Sequence, residues 1–174
     1  MTLKKDAESI IILYMRYFFL IFLLIFSLFS CAEELVGKVV KVSDGDTITI
    51  RDQNNQKYKI RMMGIDAPES HQTFGDISAQ SLIELVFDKE VVVHWDKRDK
   101  YYRILGKVIV DGKDVNYEQL KRGLAWYYKQ YEKDLSIDDR EKYTEAEVLA
   151  KNYNEGLWSD PKSIPPWIFR HQKK

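Results

Sequence analysis

The chain of 174 residues has one cysteine, Cys31, only three histidines, and no net charge, with 27 Lys and Arg against 27 Asp and Glu. A single cysteine excludes an intramolecular disulfide, and no CxxC or Cys/His cluster is present for zinc. A metal site here must use oxygen ligands, which points to calcium or magnesium. A basic surplus, the usual footprint of nucleic-acid binders, is missing. That argues against binding by overall charge and leaves room for a local positive site. No apolar run reaches the roughly 20 residues of a spanning helix. Internal repeats and low-complexity linkers are absent, and the length fits one domain.

The N-terminus has a targeting pattern. Tyr17 to Phe29 reads YFFLIFLLIFSLF, with Arg16 before it and Ser30 and Cys31 after it. A basic start, a short apolar core and a small closing residue describe a secretory signal over residues 1–30. Met15, directly before Arg16, is the better start, because Asp6 and Glu8 do not belong in a basic leader. Leu28-Phe29-Ser30-Cys31 is similar to a bacterial lipobox, with Cys31 as the lipidated residue and 31–34 as a short tether. The alternative is an uncleaved anchor. Either way the rest is exported, as a cell-envelope, periplasmic or secreted protein. Beyond residue 30 remain 24 basic and 25 acidic residues.

The folded domain is expected over 35–160. Leu35–Val42, Thr47–Ile50 and Tyr58–Ile65 read as a three-stranded meander, with Asp44-Gly45 as a hairpin turn. Gly75–Phe87 turns helical, with Ala79, Leu82, Ile83 and Val86 on one face. Two strands follow, Glu90–Trp95 and Ile104–Val110. Val115–Arg122 is a short helix ended by Gly123. Ser136, with Asp139 three residues on, opens a helix to about Asn152, with Tyr143, Ala146, Leu149, Ala150 and Tyr153 facing inward. Pro161, Pro165 and Pro166 predict an extended Pro-rich tail over 161–174. The sum is an α+β, mainly β chain: a five-stranded OB-fold barrel with about three helices.

Three segments carry chemistry: VSDGDTITI (42–50), IRMMGIDAPES (60–70) and DKYYRILGKV (99–108). Asp44 and Asp46 fit turn chemistry, but Asp46 begins a strand and has the option of pointing into a site. Arg61 lies in an otherwise apolar strand, where a cation is costly unless paired. Asp66 and Glu69 flank Pro68, so one tight turn presents both carboxylates or merely solvates them. Arg103 alone reads as an exposed strand arginine. Trp126, Tyr127 and Tyr128 divide between core and rim, with base stacking as the functional option.

The ordered set DGDT, IR…GIDAPE, DKY.R, RGLA and GLW resembles the staphylococcal nuclease (thermonuclease) family from about Val36 to Trp158. The ending PPWIFR resembles many bacterial members. The resemblance implies an OB barrel and calcium-dependent hydrolysis of DNA and RNA with little sequence preference, leaving 3′-phosphates, by a monomer. It assigns calcium (Ca2+) to Asp46, Asp66 and the backbone carbonyl of Ala67. Glu69 becomes the group that positions or activates water, and Arg61 and Arg103 the phosphate-gripping arginines. Lys100 and Tyr101 fall near a terminal phosphate of the substrate. The remaining partner is the membrane, through the N-terminal lipid or signal anchor.

These groups suit the reaction. Attack on an anionic phosphodiester needs an in-line water and positive charge on the equatorial oxygens. Three carboxylates and two arginines leave one net negative charge, which a bound calcium would turn into one net positive. Where the family commonly has glycine before the second arginine, this chain has Tyr102, at a cost of about 1–2 kcal/mol if that position is left-handed. The competing functional reading is a non-catalytic nucleic-acid-binding module on the cell envelope.

Overall fold

The computed structural model describes residues 14–18 and 33–172, so Cys31 and most of the apolar run lie outside the described residues. The domain begins with strand β1 (Glu33–Asp44), β2 (Thr47–Arg51) and β3 (Lys57–Met62). A two-residue strand β4 (Ile65–Asp66) leads to helix α1 (Gly75–Val86). Then come β5 (Glu90–Arg98), β6 (Ile104–Val110), the short β7 (Lys113–Asp114), helix α2 (Val115–Lys121) and β8 (Trp126–Tyr127). Helix α3 (Ile137–Asn152) and helix α4 (Pro166–Gln172) complete the chain.

The large sheet has the order β3-β2-β1-β5-β6-β7. A parallel pairing of β3 with β6, in register at Ile60↔Ile104 and Met62↔Gly106, closes the first five strands into a barrel. This is the expected α+β OB barrel, and α4 is a helix that the sequence reading did not include. Alternation puts Ile48, Ile50, Ile60, Met62, Val93 and Ile104 inside, each essentially inaccessible to solvent. Each such side chain contributes about 1.5–3 kcal/mol of burial.

Polar clamps hold the helices on the barrel. Asn116 in α2 accepts from Val108 N and donates to Met63 O and Gly106 O, at 2.9–3.2 Å. Gln119, one turn on, donates to Gly45 O at 2.8 Å and accepts from Ser81 Oγ at 2.8 Å. These bonds rotate α1 from its expected position. Its buried face holds Ser78, Ser81, Leu82 and Val86, and Ile83 is exposed. In α3, Ser136 Oγ accepts from Asp139 N as expected. Its buried face carries Glu147 beside Tyr143, Ala146 and Ala150, while Leu149 and Tyr153 are exposed. Glu147 takes an inward place because its Oε1 accepts from Tyr127 N at 3.0 Å.

The end of the chain departs most from expectation. Instead of an extended tail, Pro166 starts helix α4, and its fixed φ suits the first helical position. That helix reaches Asp66 and Glu69 through Arg170.

Candidate active site

The β1–β2 hairpin places the first carboxylate. Asp44 Oδ1 accepts from Asp46 N at 3.1 Å, the local turn bond expected of Asp44. Asp46 is then aimed inward and is 5% exposed. Gly45 cannot carry a side chain here, because a Cβ would stand 1.8 Å from Ser78 Oγ. Asp46 Oδ2 accepts from Ala67 N at 2.6 Å, which ties the hairpin to the segment after β4.

The second carboxylate, Asp66, comes from β4, which pairs with β8 at Asp66↔Trp126. Arg61 reaches it from the neighbouring strand β3. One nitrogen, Nη1, donates to Met62 O at 2.7 Å and Ile65 O at 2.8 Å. The other, Nη2, is 2.7 Å from Asp66 Oδ1 and 3.1 Å from Asp46 Oδ2. The apolar strand therefore tolerates its arginine because two carbonyls and two carboxylates receive it. Burial pushes the Asp46 carboxyl up to about 7, with the Asp44 and Asp66 charges adding to the effect and Arg61 and the Ala67 N–H opposing it. Burial, rather than the neighbouring carboxylates, is the main cause of this rise.

Glu69 follows Pro68 at the rim, and its side chain is about one-third exposed. The loop is closed by Gln72 N to Glu69 O and by Gly75, where a Cβ would meet Glu69 O at 2.1 Å. Arg103 stands at the start of β6. Its Nε donates to Asp99 Oδ2 at 2.7 Å, and its guanidinium lies 5.5 Å from the Tyr101 ring centre. Tyr102 has φ 62°, so tyrosine occupies a left-handed position of the kind that favours glycine. Lys100 and Tyr101 belong to the same exposed loop.

All eight described positions expected to form the site line one cleft of about 810 Å³. The structure joins Asp46, Asp66, Ala67 and Arg61 by direct bonds, and Arg103, Lys100 and Tyr101 line the same cleft. Cys31 is outside the described residues. Of the three aromatic candidates, Trp126 and Tyr127 are core, whereas Tyr128 lines the cleft.

A further arginine that lines the cleft was not among the candidates. Arg170 of α4 places Nη1 at 2.8 Å from Glu69 Oε1 and Nη2 at 2.8 Å from Asp66 Oδ2. Burial works against its charge, but bonds to Asp66 and Glu69 outweigh this and raise its pKa. The PPWIFR ending was its only signal in the sequence.

Among the described residues, no three Asp, Glu, His or Cys side chains form a metal-binding group. A cation would therefore rest on the two buried carboxylates, Asp46 and Asp66, with backbone and water oxygens. That is a donor set of oxygens, suited to a hard cation such as calcium.

The closed OB barrel thus carries a carboxylate–arginine cleft of a kind suited to a phosphodiester. Residues 59–160 match the family model described as Staphylococcal nuclease homologue. The chain is 40% identical over 162 residues to an "Uncharacterized endonuclease" of Escherichia coli, covering 91% of this chain and all of that protein. It is 39% identical over 154 residues to a Haemophilus influenzae protein of the same description, covering 87% and 83% of the two chains. A "Micrococcal nuclease" of Shigella flexneri is 37% identical over 147 residues, with 79% and 82% covered. The chain belongs to the staphylococcal nuclease family.

Proposed function

We propose that this protein is an exported, calcium-dependent endonuclease that hydrolyses phosphodiester bonds in DNA and RNA with little sequence preference. The observation that carries this reading is the union of buried Asp46 and Asp66 through Arg61, with Glu69 beside them at the rim of an open cleft. The family membership and the printed activities of the relatives support it.

Asp46, Asp66 and the backbone carbonyl of Ala67 would hold the cation. When bound, calcium polarises a phosphoryl oxygen and lowers the pKa of a coordinated water. Glu69 orients the attacking water and takes its proton. The water oxygen bonds to phosphorus, the bond to the 5′ oxygen breaks, and that oxygen takes a proton from solvent. A 3′-phosphate and a 5′-hydroxyl result. Arg61 and Arg103 offer planar donors to the equatorial oxygens. Lys100 and Tyr101 face the neighbouring phosphate. These groups address phosphate rather than base edges, in keeping with weak sequence preference.

Residues 1–30 as a signal and Cys31 as the lipid-bearing residue extend the proposal to the cell envelope. Incorporation of labelled palmitate that persists in C31S would contradict that part.

The test of the site is nucleotide binding. Thymidine 3′,5′-bisphosphate, which carries the 3′-phosphate of a product, should bind tightly with calcium and weakly with a chelator. Equal binding in both would contradict the reading.

A further inference from the structure

The guanidiniums of the cleft differ in how firmly they are held. Arg61 is anchored by two backbone carbonyls, Met62 O and Ile65 O, besides its carboxylates. Arg103 is held by Asp99. Arg170 touches the site only through Asp66 and Glu69, the cation carboxylate and the water-activating carboxylate of the proposed reaction. Its side chain is also the most exposed of the three, at 43% against 12% for Arg61 and 26% for Arg103.

The position of Arg170 does not depend on those ion pairs alone. Gln72, from the loop that carries Glu69, donates to Ile164 O at 2.6 Å. The Trp167 ring stacks on Tyr128 with centroids 5.2 Å apart and an interplanar angle of 14°. The Phe169 ring lies 5.3 Å from His71. Three contacts on separate residues therefore strap α4 across the cleft and deliver one guanidinium to its carboxylates.

We infer that Arg170 is a third phosphate-binding arginine of the active site, which holds Asp66 and Glu69 in the absence of metal and turns to the substrate phosphate when a cation takes Asp66. This deepens the proposed function and rests on it. A divalent cation at Asp66 repels a guanidinium bound to the same carboxylate. A long, partly exposed arginine at the end of the chain can rotate without moving the strap. The anion within its reach is the phosphodiester, for which its planar fork is suited. Arg170 thus competes with the cation before binding and supports the substrate after it.

Two titrations on the full-length protein test this, with wild type, R170A, R170K, W167A and R61A, each checked for folding by circular dichroism. In the first, calcium is added without nucleotide. R170A should bind it on the order of three- to tenfold more tightly than wild type, because the competing charge is gone. In the second, thymidine 3′,5′-bisphosphate is added to the calcium-saturated protein. R170A should lose about 10- to 100-fold in affinity, the loss typical of a charged hydrogen-bond donor. R170K should recover part of it. W167A, which undocks the strap and keeps Arg170, should resemble R170A. Nucleotide affinity of R170A within twofold of wild type, while R61A loses binding, would overturn the inference and leave the proposed function standing. Failure of wild type to bind nucleotide with calcium would overturn both.

Discussion

Arg61 Nη2 lies between the carboxylates of Asp66 and Asp46, at 2.7 Å and 3.1 Å, and ties β4 to the β1–β2 hairpin. Removing it leaves two buried carboxylates without their shared cation. R61A should destabilise the metal-free protein by about 3–5 kcal/mol. Calcium would supply the missing charge, so the stability gap between R61A and wild type should narrow when calcium is added. Denaturant unfolding with and without calcium measures this, and an unchanged gap would contradict the arrangement.

Glu69 should behave oppositely. It is partly exposed at the rim, and its ion pair with Arg170 is partly exposed too. E69Q should leave the unfolding midpoint nearly unchanged. It should lower kcat by about 10²- to 10⁴-fold, the usual contribution of general acid–base catalysis. Loss of stability with unchanged kcat would reverse the assignment.

Tyr102 carries strain. At φ 62° and 83% exposure it has little packing to offset its left-handed backbone. Glycine there relieves about 1–2 kcal/mol of strain and gives back part of it in unfolded-state entropy. Y102G should therefore stabilise the protein by about 0.5–1 kcal/mol, seen as a higher Tm. A lower Tm would mean that the tyrosine ring supports the loop.

Gln119 links α2 to the turn that aims Asp46. Its amide donates to Gly45 O at 2.8 Å and Ser78 O at 3.1 Å, fully shielded from water. Q119L leaves those carbonyls and the Ser81 hydroxyl short of a partner. It should cost about 2–3 kcal/mol and weaken calcium binding by loosening the hairpin. Calcium titration of the folded variant separates the two effects.

Lys107 and Asp139 give a pH dependence. Burial raises the Asp139 carboxyl, but its bonds to Lys107 and the capping Ser136 outweigh this and hold it below the usual carboxylate value of about 3.9. The pair's stabilisation is therefore complete above that value and is lost as pH falls through the lowered one. K107M should flatten the acid limb of the stability curve and leave its slope near neutrality alone. Equal acid limbs would show that the pair is not linked to folding.

The barrel strands were legible in the sequence, because alternation and turn residues are local signals, and the contiguous motifs picked out Asp46, Arg61, Asp66 and Glu69, which line one cleft. The inward faces of α1 and α3 were less so. Ser78, Ser81, Gln119 and Glu147 are buried through bonds to distant backbone and side-chain groups, which hydrophobic periodicity cannot detect. Arg170 was hidden for a similar reason. It meets Asp66 from more than a hundred residues away, and its three nearby prolines read as an extended tail.

Hydrolysis itself tests the account most directly. The purified protein is incubated with single-stranded DNA and with RNA, with calcium or with chelator, beside the E69A variant. The account predicts 3′-phosphate products from both substrates with calcium, none with chelator, and at least a hundredfold loss in E69A. Cleavage that survives chelation, or that is undiminished in E69A, would contradict it, and calcium-dependent binding without any cleavage would identify a binding module instead.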